Sequence, residues 1–319
     1  MEQMLIIFRA IGDPSRLRIL LLVEGMELAV GEIAQVLQQS QPRVSRHLRI
    51  MAEAGLIERV REGAWVFVRL GATATATSVL ALIHTLAAAR DGSEGGSDDF
   101  GAADRARLGQ VRADRAAAVD AWFATHAAEF EQERSLHTRE AGVEQAILAA
   151  LAGDVGDLVD VGTGTGRMIE LLGRQARSAL GLDRNPEMLR LARNRIDASG
   201  LASARVQAGD MYALPLPAGA CDTLLLHQVL HYADDPGAVI AEAARVLRRG
   251  GRLLVVDLLP HDREELRQER RHARLGFADD AVLGWMQEAG LAGRVAARLP
   301  GEDADQLGVA LWLGEKADT

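Results

Sequence analysis

Residues Leu158-Val159-Asp160-Val161-Gly162-Thr163-Gly164-Thr165-Gly166-Arg167 bring together an apolar run, a carboxylate and three alternating glycines. An apolar run bounded by glycines reads as a buried strand entering a tight turn. Met168, Ile169, Leu171 and Leu172 follow at helical spacing, so the turn opens a helix. Glycines let backbone approach a ligand where a Cβ would clash. A dinucleotide fingerprint puts its third glycine at the sixth position of G-x-G-x-x-G, and Arg167 stands there instead. The pattern here is D-x-G-x-G-x-G, with an acid two residues ahead of the first glycine.

Three further strands carry chemistry at their ends. Ser178–Asp183 finishes on a carboxylate followed by Arg184, at the kind of position where an acid accepts both hydroxyls of a ribose. A strand centred on Ala204–Gln207 leads into Gly209-Asp210-Met211, and Cys221–Leu226 leads into His227. In this order and spacing, the four landmarks resemble the class I S-adenosylmethionine-dependent methyltransferases, close to the ubiquinone C-methylase-like branch. That resemblance runs from about Trp122 to the C-terminus. It implies S-adenosylmethionine, or S-adenosylhomocysteine as an effector, for the cofactor. Gly162, Thr163, Gly164 and Gly166 would face its methionine part, with Asp160 near the amino group. Asp183 and Arg184 would lie at the ribose, Asp210 at the adenine amino group and Met211 against the ring, with His227 at the edge of the site. Carboxylates suit these places because they accept from hydroxyl, ammonium and amino donors.

Methyl transfer needs alignment, and a base only where the acceptor must lose a proton. His227 and His231 are the catalytic candidates for that base; satisfied loop histidines are the other reading. Cys221 is the only cysteine, which excludes an intrachain disulfide, a multi-cysteine metal site and an arsenic-binding cluster. No metal is expected.

The first 90 residues carry a different pattern. Leu5, Ile6, Phe8 and Arg9 begin a helix that Gly12 stops, and Asp13-Pro14 caps the next. Val30–Leu37 and Gln41–Met51 are two short helices joined by a tight turn. On the second, Val44, Leu48 and Met51 share one face and leave Arg43, Ser45, Arg46, His47 and Arg49 for others. Arginines contact phosphates and guanine, and Gln or Ser can read base edges. Leu56–Val60 and Trp65–Leu70, turning at Glu62-Gly63, read as a hairpin wing.

Ser40-Gln41-Pro42-Arg43-Val44-Ser45-Arg46-His47-Leu48, then Ala54-Gly55-Leu56-Ile57, resemble the ArsR/SmtB winged-helix repressors over about residues 5–90. The resemblance implies a double-stranded DNA operator, contacted by Ser40, Gln41, Arg43, Ser45, Arg46, His47 and Arg49. It also implies a homodimer through the flanking helices, here the opening helix and Thr77–Leu86. Metalloid-sensing members carry cysteines on the helix matching Glu27–Glu32, and none stands there.

Composition frames both halves. The chain has 319 residues, 48% of them hydrophobic, with a net charge of −9. Residues 1–90 hold ten arginines against eight carboxylates, a net +2, and the remainder is −11. That asymmetry leaves the amino-terminal part as the nucleic-acid-binding candidate. No apolar run approaches a membrane span, and no basic stretch precedes the opening apolar residues, so a cytoplasmic protein is expected. Residues 91–102, rich in Gly, Ser and acid, read as a flexible linker. Residues 103–151 read as an alanine-rich helical cap bearing Trp122, Phe123, His126, Phe130, Arg134 and His137. The expected fold is an α+β winged helix-turn-helix domain (1–90), then an α/β Rossmann-like class I methyltransferase domain (103–319) with a mixed sheet and helices on both faces. Two functions fit: a transcriptional regulator sensing the cofactor or its product, and a working small-molecule methyltransferase with an autoregulatory DNA-binding domain.

Overall fold

Asp13 and Pro14 start a helix as their chemistry dictates: the Asp13 carboxylate accepts from the amides of Ser15 (2.8 Å) and Arg16 (3.2 Å). This computed structural model describes residues 2–24, 28–62, 65–71, 73–90, 102–126, 140–301 and 306–318. Gly25, Gly63, nearly all of the expected linker, and Phe130, Arg134 and His137 lie outside the described residues, as do the side chains of Phe123 and His126.

The chain divides into two compact units, Met1–Ala117 and Ala118–Thr319. The first runs α1 (Glu2–Ile11), α2 (Pro14–Leu22), β1 (Leu28–Ala29), α3 (Val30–Leu37), α4 (Gln41–Glu53), β2 (Ile57–Glu62), β3 (Trp65–Leu70), α5 (Ala74–Arg90) and the start of α6 (Ala102–His126). β3 is the central strand of an antiparallel sheet ordered β1-β3-β2, and β2–β3 is the expected hairpin. Ile19, Ile33, Val44, Leu48, Met51, Leu56 and Val68 form the core beneath it.

The division between the two units falls inside α6. Two features draw the start of α6 into the first unit. Leu108 and Val111 pack against its core. Asp104, only 4% exposed, takes both Nε and Nη2 of Arg18 at 2.6 Å. An alanine-rich helix carrying so few apolar residues gave no sign in the sequence of which core it would join.

The second unit begins with the end of α6 and continues with α7 (Glu140–Ala150), β4 (Gly156–Val161), α8 (Arg167–Leu172), β5 (Ala176–Asp183), α9 (Pro186–Ser199), β6 (Ala204–Ala208) and β7 (Cys221–His227). After a 3-10 turn at Leu230–Tyr232 come α10 (Pro236–Val246), β8 (Leu247–Leu258), α11 (Glu265–Glu269), α12 (Asp279–Glu288), β9 (Leu291–Leu299) and β10 (Val309–Lys316). The sheet order is β6-β5-β4-β7-β8-β10-β9. The first five strands are parallel; β10 runs antiparallel to both β8 and β9. Alternate residues of a strand serve opposite faces. Val159, Val161, Leu253 and Val255 therefore join one core with α10 and α12. Leu158, Leu254, Val256 and Leu258 join another with α7, α8 and α9. This is the expected mixed sheet with helices on both faces.

Arg248–Gly251 bulges within β8 between the Cys221–Leu247 and Thr223–Arg252 pairs. The charged span 261–275 is helical only over Glu265–Glu269. Leu266, His272, Arg274 and Leu275 in it are buried, because the segment lies against the carboxyl ends of β7 and β8: Ala273 and Arg274 amides donate to the His231 carbonyl.

Candidate functional site

The helix α4 is positioned by its own apolar stripe. Val44, His47, Leu48 and Met51 fall at i, i+3, i+4 and i+7 and are all buried. Ser40, Gln41, Arg43, Arg46 and Arg49 are exposed and Ser45 is half-buried. Ser40 sits at the N-cap without using its hydroxyl as a cap. His47, expected among the DNA contacts, is 9% exposed and turned inward. Its Nδ1 lies 3.4 Å from the Arg16 guanidinium and 3.9 Å from Asp13. Burial holds its pKa below the usual imidazole value, against the pull of Asp13 and with the help of Arg16, Arg43 and Arg46. The spacing of His47 to Val44 and Met51 was the sequence signal for that inward face.

In the second unit the sheet order reverses between β4 and β7, the crevice where open α/β sheets take ligands. The loop leaving β4 is folded onto β5: the amides of Gly162 and Thr163 both donate to the Leu182 carbonyl, at 2.8 and 2.9 Å. Gly162, Gly164 and Gly166 all have left-handed backbone, with φ of 71°, 52° and 82°. A Cβ on Gly162 would stand 2.3 Å from Val229 Cγ2. Gly162→Ala is therefore expected to lower stability by about 2–3 kcal/mol through strain and overlap, measured as a reduced midpoint in urea unfolding.

Carboxylates surround this loop. Asp160 is 1% exposed and accepts from the Thr163 hydroxyl at 2.6 Å. Asp183, half-buried at the end of β5, accepts from the Gly164 amide (2.9 Å) and the Asn185 amide (2.8 Å). It thereby fixes the glycine loop to the next helix, whose N-cap is Asn185. Asp210 is exposed and accepts from the Tyr212 amide at 3.0 Å, beside half-buried Met211. Arg184 is exposed. Arg167, at the position a dinucleotide fold gives to glycine, turns to Glu144 (2.7 and 2.9 Å) and Glu170 (2.8 Å), which raise its pKa. It is a clamp between α7 and α8, not a phosphate ligand.

Three carboxylates around a glycine-rich loop suit a cation bearing hydroxyls and amines, and suit a pyrophosphate poorly. S-adenosylmethionine, with its sulfonium, ammonium, ribose and adenine, fits this set of donors and acceptors.

The two histidine candidates part company. His227 ends β7 half-buried, followed by Gln228 in left-handed conformation at φ 50°. His231, proposed as a base, is 2% exposed: its Nδ1 pairs with Asp257 at 2.7 Å and its ring packs on His272 with centroids 4.2 Å apart. Asp257, fully buried, also accepts from the amides of Leu230 (2.9 Å), His231 (3.2 Å) and Leu258 (2.7 Å). It is the residue that sequence reasoning missed, although its place as the last acid of a strand resembles that of Asp183. It pins the β7 loop to β8, and His231 belongs to that pin. Cys221 is also inert, since burial pushes its thiol up to about 12. Among the described residues no group of three His, Cys, Asp or Glu could hold a metal, and no helix is long and apolar enough to cross a membrane.

Comparison with known proteins agrees with both halves. The family described as bacterial regulatory protein, arsR family, matches residues 13–59, and that described as methyltransferase domain matches residues 159–255. An HTH-type transcriptional regulator of Methanocaldococcus jannaschii is 45% identical over 62 residues, 19% of this chain and 70% of that protein. The demethylmenaquinone methyltransferase of Tropheryma whipplei is 34% identical over 121 residues, 38% of this chain and 48% of that protein. The chain thus spans about half the length of this methyltransferase relative. The crystal structure of the YcgJ protein of Bacillus subtilis superposes with a TM-score of 0.50 at 18% identity, over 56% of this chain and 100% of that one. It shares the fold. With its winged helix and its carboxylate-lined glycine loop, the chain belongs to the ArsR family of bacterial regulatory proteins and carries a class I, S-adenosylmethionine-binding methyltransferase domain.

Proposed function

We propose that this protein is a DNA-binding regulator of ArsR type whose methyltransferase domain senses S-adenosylmethionine or S-adenosylhomocysteine. The observation that carries it is the glycine loop held open by Asp183 and lined by carboxylates, in one chain with a helix presenting Arg43, Arg46 and Arg49 to solvent. In this reading Ser40, Gln41, Arg43, Ser45, Arg46 and Arg49 meet the operator. Gly162, Thr163, Gly164 and Gly166 face the methionine part of the ligand, with Asp160 near its amino group. Asp183 takes the ribose, with Arg184 alongside; Asp210 and Met211 take the adenine, and His227 lies at the edge. The exposed Met4, Leu5 and Phe8 of α1, with Leu82 and Leu86 of α5, supply the apolar faces that a two-fold dimer would bury.

A working methyltransferase is the second reading. Gln228, held in left-handed backbone right after His227, favours it, since such strain gathers at active sites. The bound sulfonium would supply an already activated methyl group. His227, half-buried at the carboxyl end of β7, would then be the side chain to hold a proton from an acceptor.

The decisive experiment measures affinity for an operator selected from random duplexes, with S-adenosylmethionine, with S-adenosylhomocysteine and with neither. A sensor gives a shift of about 5–150-fold between states. Equal affinity in all three removes the sensor and leaves the enzyme, which transfer of labelled methyl groups to a metabolite pool would establish. As an internal check, Arg43→Ala and Arg46→Ala each lower the slope of log affinity against log salt by about one without changing ligand uptake.

A further inference from the structure

Helix α6 runs without a break from Ala102 to His126 and so belongs to both compact units. In the first unit its Asp104 is buried in a two-pronged grip by Arg18 of α2, with Arg107 of the next turn at 3.1 Å. Arg16, also on α2, reaches His47 of the operator-facing helix α4 and the carbonyls of Arg9 and Ala10 at the end of α1. In the second unit, at the other end of α6, Trp122 is 9% exposed with the Arg270 guanidinium 6.0 Å from its ring centre. Arg270 lies on the segment after β8. Two residues on, His272 packs on His231, which Asp257 ties to the loop that leaves β7 at the ligand crevice. The contacts are half-buried to buried, and α2 and the segment after β8 join them along the chain, so a continuous run of packed groups connects the crevice to α4.

We infer that α6 is the relay between ligand and operator: occupancy of the carboxyl edge of the sheet changes the hold on Trp122, and the helix passes that change through Asp104 and Arg18 to α2 and, by Arg16 and His47, to α4. The inference rests on the sensor reading of the methyltransferase domain and gives it a route. It also accounts for two residues that reading leaves unused. A carboxylate as buried as Asp104 is costly unless paired, so Arg18 fixes α6 to α2 at that point, and His47, turned inward, lies within reach of Arg16, also on α2.

The test uses the full-length chain, S-adenosylhomocysteine as the probe, calorimetry for its uptake and hydrogen exchange for its reach. In the native protein the probe is expected to alter exchange within residues 102–111 and 41–53 as well as around the crevice. Ala117→Pro interrupts α6 at an exposed position that neither end uses. It should abolish the change in residues 102–111 and 41–53 while leaving affinity for the probe within about twofold. Asp104→Asn, which keeps the side-chain shape, should do the same and serves if the proline variant does not fold. Changes confined to residues 118–319, or distant changes that persist in both variants, overturn the relay and leave the ligand site standing. Absence of uptake in calorimetry overturns both together.

Discussion

Asp183→Ala is expected to abolish measurable uptake of S-adenosylmethionine and S-adenosylhomocysteine while the protein stays folded. Each charge-assisted hydrogen bond to a ribose hydroxyl contributes about 1.5–3 kcal/mol, so losing two costs about 100-fold or more in affinity. The carboxylate also holds the Gly164 and Asn185 amides. Its removal thus loosens the glycine loop that would meet the methionine part, and the two losses add. Asp183→Asn, which keeps one oxygen for the loop, should retain part of the affinity. Calorimetry on the two variants beside the native protein reads the difference. An alanine variant that binds as the native protein does would remove Asp183 from the ligand site, and the sensor and enzyme readings with it.

The largest loss of stability is expected from Asp257→Ala. One carboxylate there satisfies three backbone amides and the His231 ring, all in the interior. Each buried donor left without its acceptor costs about 1–3 kcal/mol, so the loss is on the order of 3–5 kcal/mol. For a unit of this size each kcal/mol is about 2–4 °C in unfolding temperature, so a drop on the order of 10 °C is expected by calorimetric scanning. Asp257→Asn, with an acceptor oxygen still in place, should lose less. If His231 were instead a working base exposed to an acceptor, His231→Gln would remove turnover with little change in stability. The buried pairing predicts the reverse order, with stability falling first.

Both expectations bear on how a chain with two separate cores responds to damage. The cores of the two units are built from different residues. Asp257→Ala should therefore depress the transition of the methyltransferase unit and leave that of the winged-helix unit near its native position. The same separation makes α6 informative, as it is the helix whose residues are divided between the two units.

Much of this was written in the sequence because it is local. Apolar runs gave the strands, Asp13-Pro14 gave a helix start that the structure makes with a side-chain cap, and the spacing of Val44, Leu48 and Met51 gave the buried face of α4. The glycine loop and the acid at the end of β5 were legible for the same reason, since few packing demands put those residues at a strand end. Long-range partners were not. That Asp257 would take His231, that Arg16 would draw His47 inward and that the segment 261–275 would be buried all depend on which strands become neighbours, and separations of 26 and 31 residues leave no periodicity to read. The start of α6 is the clearest case: an alanine-rich helix fits either core by composition, and the packing of Leu108 and Val111 together with an ion pair to Arg18, 86 residues away, assigns it to the first.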